Sequence, residues 1–461
     1  MEAAESGDGR WSERPHLDHQ GAALDGGASI SSQHVRGRLP GIATPFYGRL
    51  ADRFGARRLF VFGLGIFATG SLLCAMASAF GWLLAGRLVQ AVGSGAIPGL
   101  GVALVSRAYP PERRGSAMGF VSAAVGSGAA IGPTLGGFIA GALGWHAIFG
   151  VTILAGLLAP FAWRVIPPGS RHVDEPIDWL GGLLLALTVA GALLAATEAS
   201  RGNPGAPIVL LAVGVALVAA VGLVVRQRLA VAPFIPRDLL RHQRFVALAT
   251  LSLMTMAVNL PALVSMPLLL TAFNRLAPVQ IGLALLPEAV TFTLLGPVAG
   301  RVVDRVGPRL PIRAGLCVMF VAIAALSAWG AGAPAWVVSV LTAMLSAGFA
   351  FVNSPLTTTI SLLVPPARLA SGLSMNSMLF FLGGAFGTAL MSAVLTARAT
   401  AQRAINPVYT GQAIAFSDAF LVLLALLLVA LGLTLALPER GYRTAEQLLG
   451  QPRPAEQAVH E

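Results

Sequence analysis

Twelve apolar stretches, each long enough to cross a bilayer as a helix, make up most of this chain. A helical span needs about 20 mainly apolar residues, and inside lipid only helices and closed barrels satisfy the backbone hydrogen bonds. These stretches are rich in Ala, Leu and Gly and do not alternate as barrel strands do. The sequence therefore predicts an all-α polytopic membrane protein with twelve full spans, at about 59–80, 81–104, 115–140, 146–166, 179–197, 206–225, 245–272, 278–300, 314–330, 335–359, 371–396 and 418–437.

Composition supports the membrane class and argues against others. The chain is 56% hydrophobic and 11% charged, whereas soluble chains carry roughly a quarter charged residues. The net charge of +11 comes from Arg alone. Because these arginines lie in short loops and form no basic domain, we expect no nucleic-acid partner. Cys74 and Cys317 lie in apolar stretches, so we predict no disulfide, no metal site and no cofactor.

The distribution of Arg predicts the orientation of the chain, because cytoplasmic loops carry an excess of positive residues. Twenty-two arginines lie in the C-terminal tail or in loops on the side of residues 48–58, and the opposite loops hold only four. We therefore expect a multi-pass protein of the cell inner (plasma) membrane, with residues 48–58 and the C-terminus in the cytoplasm.

One ten-residue segment occurs twice. Residues 48–57 return as residues 300–309, which is 252 positions later. Duplicated halves are typical of secondary transporters, and a carboxylate can accept hydrogen bonds from a helix N-terminus or from Arg. We interpret the pair as a cytoplasmic loop latch, with a simple helix cap in a positive-inside turn as the alternative. Its members are Gly48, Asp52, Arg53, Gly55 and Arg57, and then Gly300, Asp304, Arg305, Gly307 and Arg309.

The repeat also predicts the domain organisation. The second copy follows two spans and precedes four, whereas the first copy precedes four spans and follows only an apolar stub at 39–47. We expect the first span and most of the second to be lacking, through a misassigned start or genuine shortening. The predicted parts are a polar tail (1–38), an incomplete N-terminal bundle of four full spans (39–168), a two-helix insertion with linkers (169–243), a C-terminal six-helix bundle (244–438) and a cytoplasmic tail (439–461).

Polar side chains inside the spans are the functional candidates, because placing them in lipid is costly. Glu288 lies deep in the span 278–300, where a carboxyl group can exchange protons; alternatively, it bonds a neighbouring helix or pairs with Arg87. Arg87 in turn is either functional or extends toward the nearer membrane surface. Four amides are candidates for a substrate cavity, although such groups also join helices: Gln90, Asn259, Asn353 and Asn376.

A glycine-rich pattern occupies the span 115–140. Glycines spaced four apart predict a groove for close helix packing, and a proline within a helix predicts a kink. The pattern consists of Gly128, Gly132, Pro133, Gly136 and Gly137.

Together these motifs resemble the major facilitator superfamily, specifically its fourteen-span drug:proton antiporters. Residues 48–58 resemble the family's cytoplasmic loop motif, and residues 128–137 are similar to its antiporter motif. Arg87 and Gln90 resemble the fourth-span motif, although Ala91 stands where Gly is usual. The resemblance covers about residues 40–440.

The resemblance implies two pseudo-symmetric helix bundles around a central cavity that opens alternately to either side of the lipid bilayer. It implies export of small amphipathic molecules such as drugs, antibiotics or dyes in exchange for protons, with Arg87 contributing to proton coupling. The alternatives are export of an endogenous metabolite or siderophore, a truncated or inactive homologue, and a membrane enzyme. An enzyme needs a cluster of reactive side chains near one interface. Because the sequence presents none, we expect a transporter and not an enzyme.

Overall fold

The computed structural model describes residues 43–168, 176–199, 205–330, 333–409, 411 and 413–436, and these residues contain helices and connecting turns without a strand. The predicted tails at 1–38 and 439–461 lie outside the described residues. The α-helices within the described ranges are α1 (43–54), α2 (Ala56–Ala75), α3 (Phe80–Ser94), α4 (Ala96–Ala108), α5 (Arg114–Leu143), α6 (Trp145–Val165), α7 (Trp179–Ala199), α8 (Pro207–Leu229), α9 (Arg237–Arg241), α10 (Gln243–Asn274), α11 (Pro278–Val306), α12 (Arg309–Ala325), α13 (Ala335–Leu363), α14 (Leu369–Ala397) and α15 (Ile414–Leu433).

The helices confirm the all-α membrane fold. Eleven helical segments of the described chain are long and apolar enough to cross a bilayer. Two of these segments combine neighbouring elements, since α4 continues α3 after Gly95 and a π-helical turn at Leu326–Gly330 continues α12. The glycine-rich α5 is not among the eleven, but its 30 residues correspond to the remaining predicted span. The count agrees roughly with the twelve predicted.

The repeated segments are mostly helical, which corrects the prediction that they are loops. Asp52 belongs to α1 and Asp304 to α11, and each helix ends only at the following glycine. Gly55 and Gly307 turn the chain with φ angles of 94° and 78°, values that glycine adopts at little cost. Hydropathy marks where the apolar, lipid-spanning segment ends and not where the helix ends, because polar residues such as Asp and Arg can continue a helix beyond the membrane.

Several helix pairs join the N-terminal and C-terminal halves. An extensive contact runs between α5 and α11, and smaller ones join α4 to α14 and α5 to α13. The end of α1 also meets α14, at Gly48 and Ser374. The inserted hairpin of α7 and α8 packs against α14, through a small apolar cluster that includes Leu185, Phe234 and Met378. The largest apolar core lies mainly within the C-terminal half, among α10 to α15.

Glycines allow the backbones of α5 and α11 to touch. A Cβ atom on Gly119 would stand 2.5 Å from the carbonyl oxygen of Gly296, and one on Gly126 would stand 2.7 Å from the Phe292 ring. Gly115 and Gly300 face each other in the same way. The α5–α11 contact is therefore a small-residue interface of the kind that membrane helices use for close approach.

The predicted packing groove in α5 is wrong in its position. Apart from atoms of α5 itself, no described atom lies within 4 Å of a Cβ placed on Gly128, Gly132 or Gly136. The side chains of Pro133 and Gly137 lie outside what the structure describes. Small-residue spacing indicates where a helix can be approached, but not whether a neighbour stands there. Here the approach occurs earlier in α5, at Gly115, Gly119 and Gly126.

A matched pair of substitutions in α5 tests this assignment. Gly119→Val should lower the stability of the purified protein by about 1–3 kcal/mol, because the added methyl groups overpack a closed helix interface. Gly128→Val should have little effect, since its Cβ would meet open space. Thermal unfolding in detergent or nanodiscs measures both. An equal loss for the two variants would contradict the assignment, because the face carrying Gly128 would then also be packed.

Candidate functional site

Two carboxylates bridge the halves at the ends of α1 and α11. Asp304 accepts hydrogen bonds from the amides of Gly115 and Ser116 at 2.8 Å each, and from the Ser116 hydroxyl at 2.8 Å. Asp52 accepts bonds from the amides of Ala370 at 3.2 Å and Ser371 at 3.1 Å. We call the Asp52 set the first docking contact and the Asp304 set the second docking contact. Each carboxylate thus binds the other half of the molecule.

The donor amides of both contacts belong to the first turn of a helix, where backbone N–H groups have no intrahelical partner. A carboxylate there also meets the positive end of the helix dipole. The sequence carries a signal for this arrangement. Residues 110–116 read Pro-Pro-Glu-Arg-Arg-Gly-Ser, and residues 365–371 read Pro-Pro-Ala-Arg-Leu-Ala-Ser. In each copy, a short 3₁₀ turn after the first proline leads directly into α5 or α14.

The repeated glycines make room for these contacts. A Cβ on Gly48 would come within 2.6 Å of the Ser374 Cβ in α14, and one on Gly300 would collide with the Gly115 carbonyl. Side chains larger than Gly would therefore hold the halves apart and lengthen the bonds to Asp52 and Asp304. Each copy of the repeat therefore supplies a carboxylate that accepts hydrogen bonds and a glycine that lets this carboxylate come close to its amide donors.

The arginines of the repeat have other surroundings. Arg57 lies 4.2 Å above the Trp163 ring, and Arg53 lies 5.5 Å from the Phe54 ring, so both contact their own half. Arg305 is exposed at the end of α11, and Arg309 begins α12 half-buried. Two arginines outside the repeat bridge the halves by donating to backbone carbonyls: Arg107 to Pro366 at 3.3 Å and Arg114 to Ser361 at 3.1 Å.

A cavity of about 1330 Å³ lies between the halves, on the side of the docking contacts away from the Arg-rich loops. Its wall is mostly apolar. Glu288 is the single charged side chain among the described residues that line it. Glu288 is 8% exposed, and its Oε2 atom accepts no hydrogen bond within the described part of the chain. The site therefore places one acidic group in an apolar chamber.

Three of the four predicted cavity amides line this chamber: Asn259, Asn353 and Asn376. Gln90 does not line it; its amide donates to Ser71 at 2.8 Å and accepts from Arg87 at 3.2 Å. The guanidinium of Arg87 lies 4.3 Å above the Phe149 ring, outside the cavity wall. The structure thus separates Arg87 and Gln90 from the chamber that holds Glu288.

Aromatic rings form one side of the cavity. Phe292 and Phe349 are stacked with centroids 5.4 Å apart, and Phe349 and Phe380 with centroids 6.2 Å apart. Phe273 contacts Phe416 and does not line the chamber. Phenylalanine is frequent in membrane helices, so only the packing of α11, α13 and α14 distinguishes these rings.

Asp52 lies beyond the predicted spans and is almost fully buried in the first docking contact. Burial raises the pKa of Asp52 to about 6, against the opposing effects of its hydrogen bonds and of the Arg107 charge. A hydrated Asp has a pKa of about 3.9. The docked arrangement therefore binds a proton more tightly than an undocked arrangement in which water reaches Asp52.

The second docking contact should be the stronger one, because it has three short bonds against two longer ones. Bonds to a charged group contribute roughly 1.5–3 kcal/mol, so Asp304→Ala should speed amide exchange at Gly115 and Ser116 by about tenfold or more. Asp52→Ala should have a smaller effect at Ala370 and Ser371. Hydrogen–deuterium exchange with mass spectrometry measures both, and Glu112→Ala at the exposed start of the same region is the charge-matched control. The reverse order would contradict the ranking.

The raised pKa of Asp52 predicts a pH dependence. Between pH 7 and pH 5 the proton should shift the equilibrium toward the docked arrangement by about tenfold, because it binds Asp52 more tightly there. Stabilisation of the docked form is lost as the pH rises through about 6. Spin-label distances between the ends of α1 and α14 measure the docked fraction. Asp52→Asn should remove the dependence, and a docked fraction that falls on acidification would refute the prediction.

Comparison with known proteins agrees with this architecture. The chain is 31% identical to a multidrug resistance protein B homolog of Mycobacterium tuberculosis, over 78% of this chain and 68% of that protein. It is 28% identical to the lincomycin resistance protein LmrB of Listeria monocytogenes, over 77% and 76%. It is 27% identical to the riboflavin transporter RibZ of Clostridioides difficile, over 84% of both chains.

Solved structures share the fold. The human organic anion transporter MFSD10 superposes with a TM-score of 0.65 at 17% identity, covering 91% of this chain and 86% of that one. The proton:xylose symporter XylE superposes with a TM-score of 0.60 at 16% identity, covering 94% and 90%. The family model of the Major Facilitator Superfamily matches residues 37–388 and 245–453. This chain is therefore a multi-pass membrane transporter of the Major Facilitator Superfamily.

Proposed function

We propose that this chain exports small amphipathic molecules, such as drugs, antibiotics or dyes, in exchange for protons, as a member of the fourteen-span drug:proton antiporters. The observation that carries the proposal is the large apolar cavity between the halves, which contains one buried carboxyl group. Such a chamber suits a ligand with a large apolar surface and few polar groups. Two of the similar proteins have drug-resistance names, which supports this substrate class.

The two docking contacts act as the latch in this proposal. They close the Arg-rich end of the interface, which by the positive-inside rule faces the cytoplasm. The arrangement then corresponds to a state with the cytoplasmic side shut. Transport requires these contacts to break when the cavity opens to the cytoplasm and to form again when it faces outward. These hydrogen bonds are few and lie at one end of the interface between the halves. They can therefore favour the inward-closed or the inward-open state without locking the protein in it.

Glu288 is the group that we propose for proton coupling. A buried carboxyl group is costly when it is ionised without a partner, so it should hold a proton or a ligand whenever the cavity closes around it. Arg87 stays a prediction of the family resemblance, because its contacts are with Gln90 and Phe149 and it does not line the cavity. Any role of Arg87 in coupling would act through the packing of α3 against α2 and α6.

Reconstitution into liposomes tests the proposal. We expect an inside-acid pH gradient to drive ethidium into vesicles by exchange for protons, in the fraction of molecules inserted inside-out. Glu288→Gln should abolish this uphill movement, because the neutral amide cannot carry a proton. Downhill exchange of labelled for unlabelled ethidium, which needs no net proton movement, reports whether the variant still cycles.

Two outcomes would count against the proposal. Uphill transport by Glu288→Gln equal to that of the wild-type chain would exclude Glu288 from coupling. Absence of transport of ethidium and of a panel of neutral drugs by the wild-type chain would favour an exporter of another metabolite, or an inactive homologue. Cys317→Ser, an exposed position in α12 that is remote from the cavity wall, is the control variant.

A further inference from the structure

We propose that the segment after the inserted hairpin braces the first docking contact from both halves of the molecule. This bridging segment, residues 230–241, runs from the end of α8 through α9. It contacts α1 through Arg49 and the start of α14 through Arg368, which makes these two arginines positioning residues for Asp52 and its donors. The inference rests on the docking contacts of the proposed transport cycle and is independent of the substrate and of protons.

The bridging segment is folded back on the end of α8. The Arg237 side chain donates to three carbonyl oxygens there, those of Gln227 at 3.0 Å, Arg228 at 2.8 Å and Ala230 at 3.1 Å. Carbonyl groups at the C-terminal end of a helix have no intrahelical donor, so one guanidinium group satisfies three of them. The Gln227 amide in turn donates to the Ile235 carbonyl. The bridging segment and the hairpin are therefore one unit.

Contacts to the N-terminal half hold the bridging segment beside α1. The buried Arg49 side chain donates to the Pro233 carbonyl at 3.4 Å. The Phe234 ring packs on the Phe46 ring, with centroids 4.9 Å apart. Arg49 lies three residues before Asp52 in α1, which places both side chains on one face of the helix. The bridging segment therefore holds the face of α1 that presents the Asp52 carboxylate.

The contact to the C-terminal half reaches the donors of the same docking contact. Arg368 and Asp238 form an ion pair, with the Nε and Oδ2 atoms 3.4 Å apart. Arg368 immediately precedes α14, and the two amides that bind Asp52 follow in the first turn of this helix. The apolar cluster that contains Phe234 and Met378 adds a second contact to α14. The bridging segment thus contacts both halves within one helical turn of the bonds to Asp52.

The corresponding positions of the second docking contact are exposed instead. Arg301 matches Arg49 in the ten-residue repeat and is exposed near the end of α11. Arg113 matches Arg368 in the two Pro-Pro segments and is exposed before α5. The bridging segment therefore distinguishes the two docking contacts. It supports the one with fewer and longer hydrogen bonds and shifts the equilibrium toward the docked arrangement.

Substitutions at matched positions test the inference: Arg49→Met, which keeps an unbranched side chain in the buried position, and Arg301→Met in the other copy of the repeat. Hydrogen–deuterium exchange of the full chain in nanodiscs follows the amides that bind Asp52 and those that bind Asp304. Arg49→Met should speed exchange about threefold or more at the first set only, because it removes one hydrogen bond from a charged donor. Arg301→Met should change neither set. Equal acceleration at both sets, which a general loss of stability would cause, or none at the first set would overturn the inference.

Charge reversal tests the contact to α14. Asp238→Arg should speed exchange of the amides that bind Asp52 by about two- to fivefold, because it places two like charges together at a partly exposed site. Addition of Arg368→Asp to the same chain should restore an ion pair and the wild-type exchange rate. A double variant that exchanges as fast as Asp238→Arg alone would overturn the role of this pair. Thermal unfolding checks that each variant is folded.

A third pair tests the link to the hairpin. Arg237→Gln should release the bridging segment from the end of α8 and speed exchange of the amides that bind Asp52 at least as much as Arg49→Met does. Arg228→Gln is the control, because that side chain is exposed at the end of the same helix. Unchanged exchange in Arg237→Gln would show that the hairpin does not brace the contact.

The exchange measurements distinguish this inference from the proposed function, because they need neither a substrate nor a pH gradient. Selective acceleration in Arg49→Met, together with a wild-type chain that moves no drug in liposomes, would refute the export proposal and preserve the brace. Proton-driven transport by a chain in which Arg49→Met leaves exchange unchanged would do the reverse.

Discussion

The fold depends on the close approach of helices from two halves of the chain, which glycine permits. Where α5 meets α11, side chains larger than hydrogen would collide with backbone carbonyls. Only at that distance can the Asp304 carboxylate reach the amides that begin α5. In lipid no hydrophobic force drives helices together, so packing and short polar contacts must hold the halves. The cavity is the space that remains where the helices diverge beyond this contact.

Pseudo-symmetry gives each half the same two parts. One part is a carboxylate at a helix end, and the other is a helix start preceded by two prolines. Because the carboxylate of each half binds the helix start of the other half, two docking contacts of the same kind result. They are unequal, because Ser116 adds a hydroxyl bond to Asp304 and Asp52 is more deeply buried. The second docking contact therefore has more bonds, and in the first docking contact burial raises the pKa of Asp52.

The two candidate polar groups inside the membrane have different environments. Arg87 donates a hydrogen bond to Gln90 and lies over the Phe149 ring, away from the cavity wall. Glu288 faces a chamber and keeps an oxygen without a bond. A charged group away from the cavity acts on the structure around it, whereas a cavity-lining carboxyl group with an unbonded oxygen is available to a ligand or a proton. The same rule of costly burial that selected both residues from the sequence therefore cannot assign them the same role.

The membrane class, roughly the number of spans, the two-fold repeat and the candidate polar residues could be predicted from the sequence alone. These properties depend on hydropathy and identity, which are local to each segment. Four features depend on the tertiary structure. They are the partners of Asp52 and Asp304, the empty space beside Gly128, the separation of Gln90 from Asn259, and the row of phenylalanines. Each of these depends on which helix stands opposite, and small residues and apolar rings are too common in membrane helices to specify a neighbour.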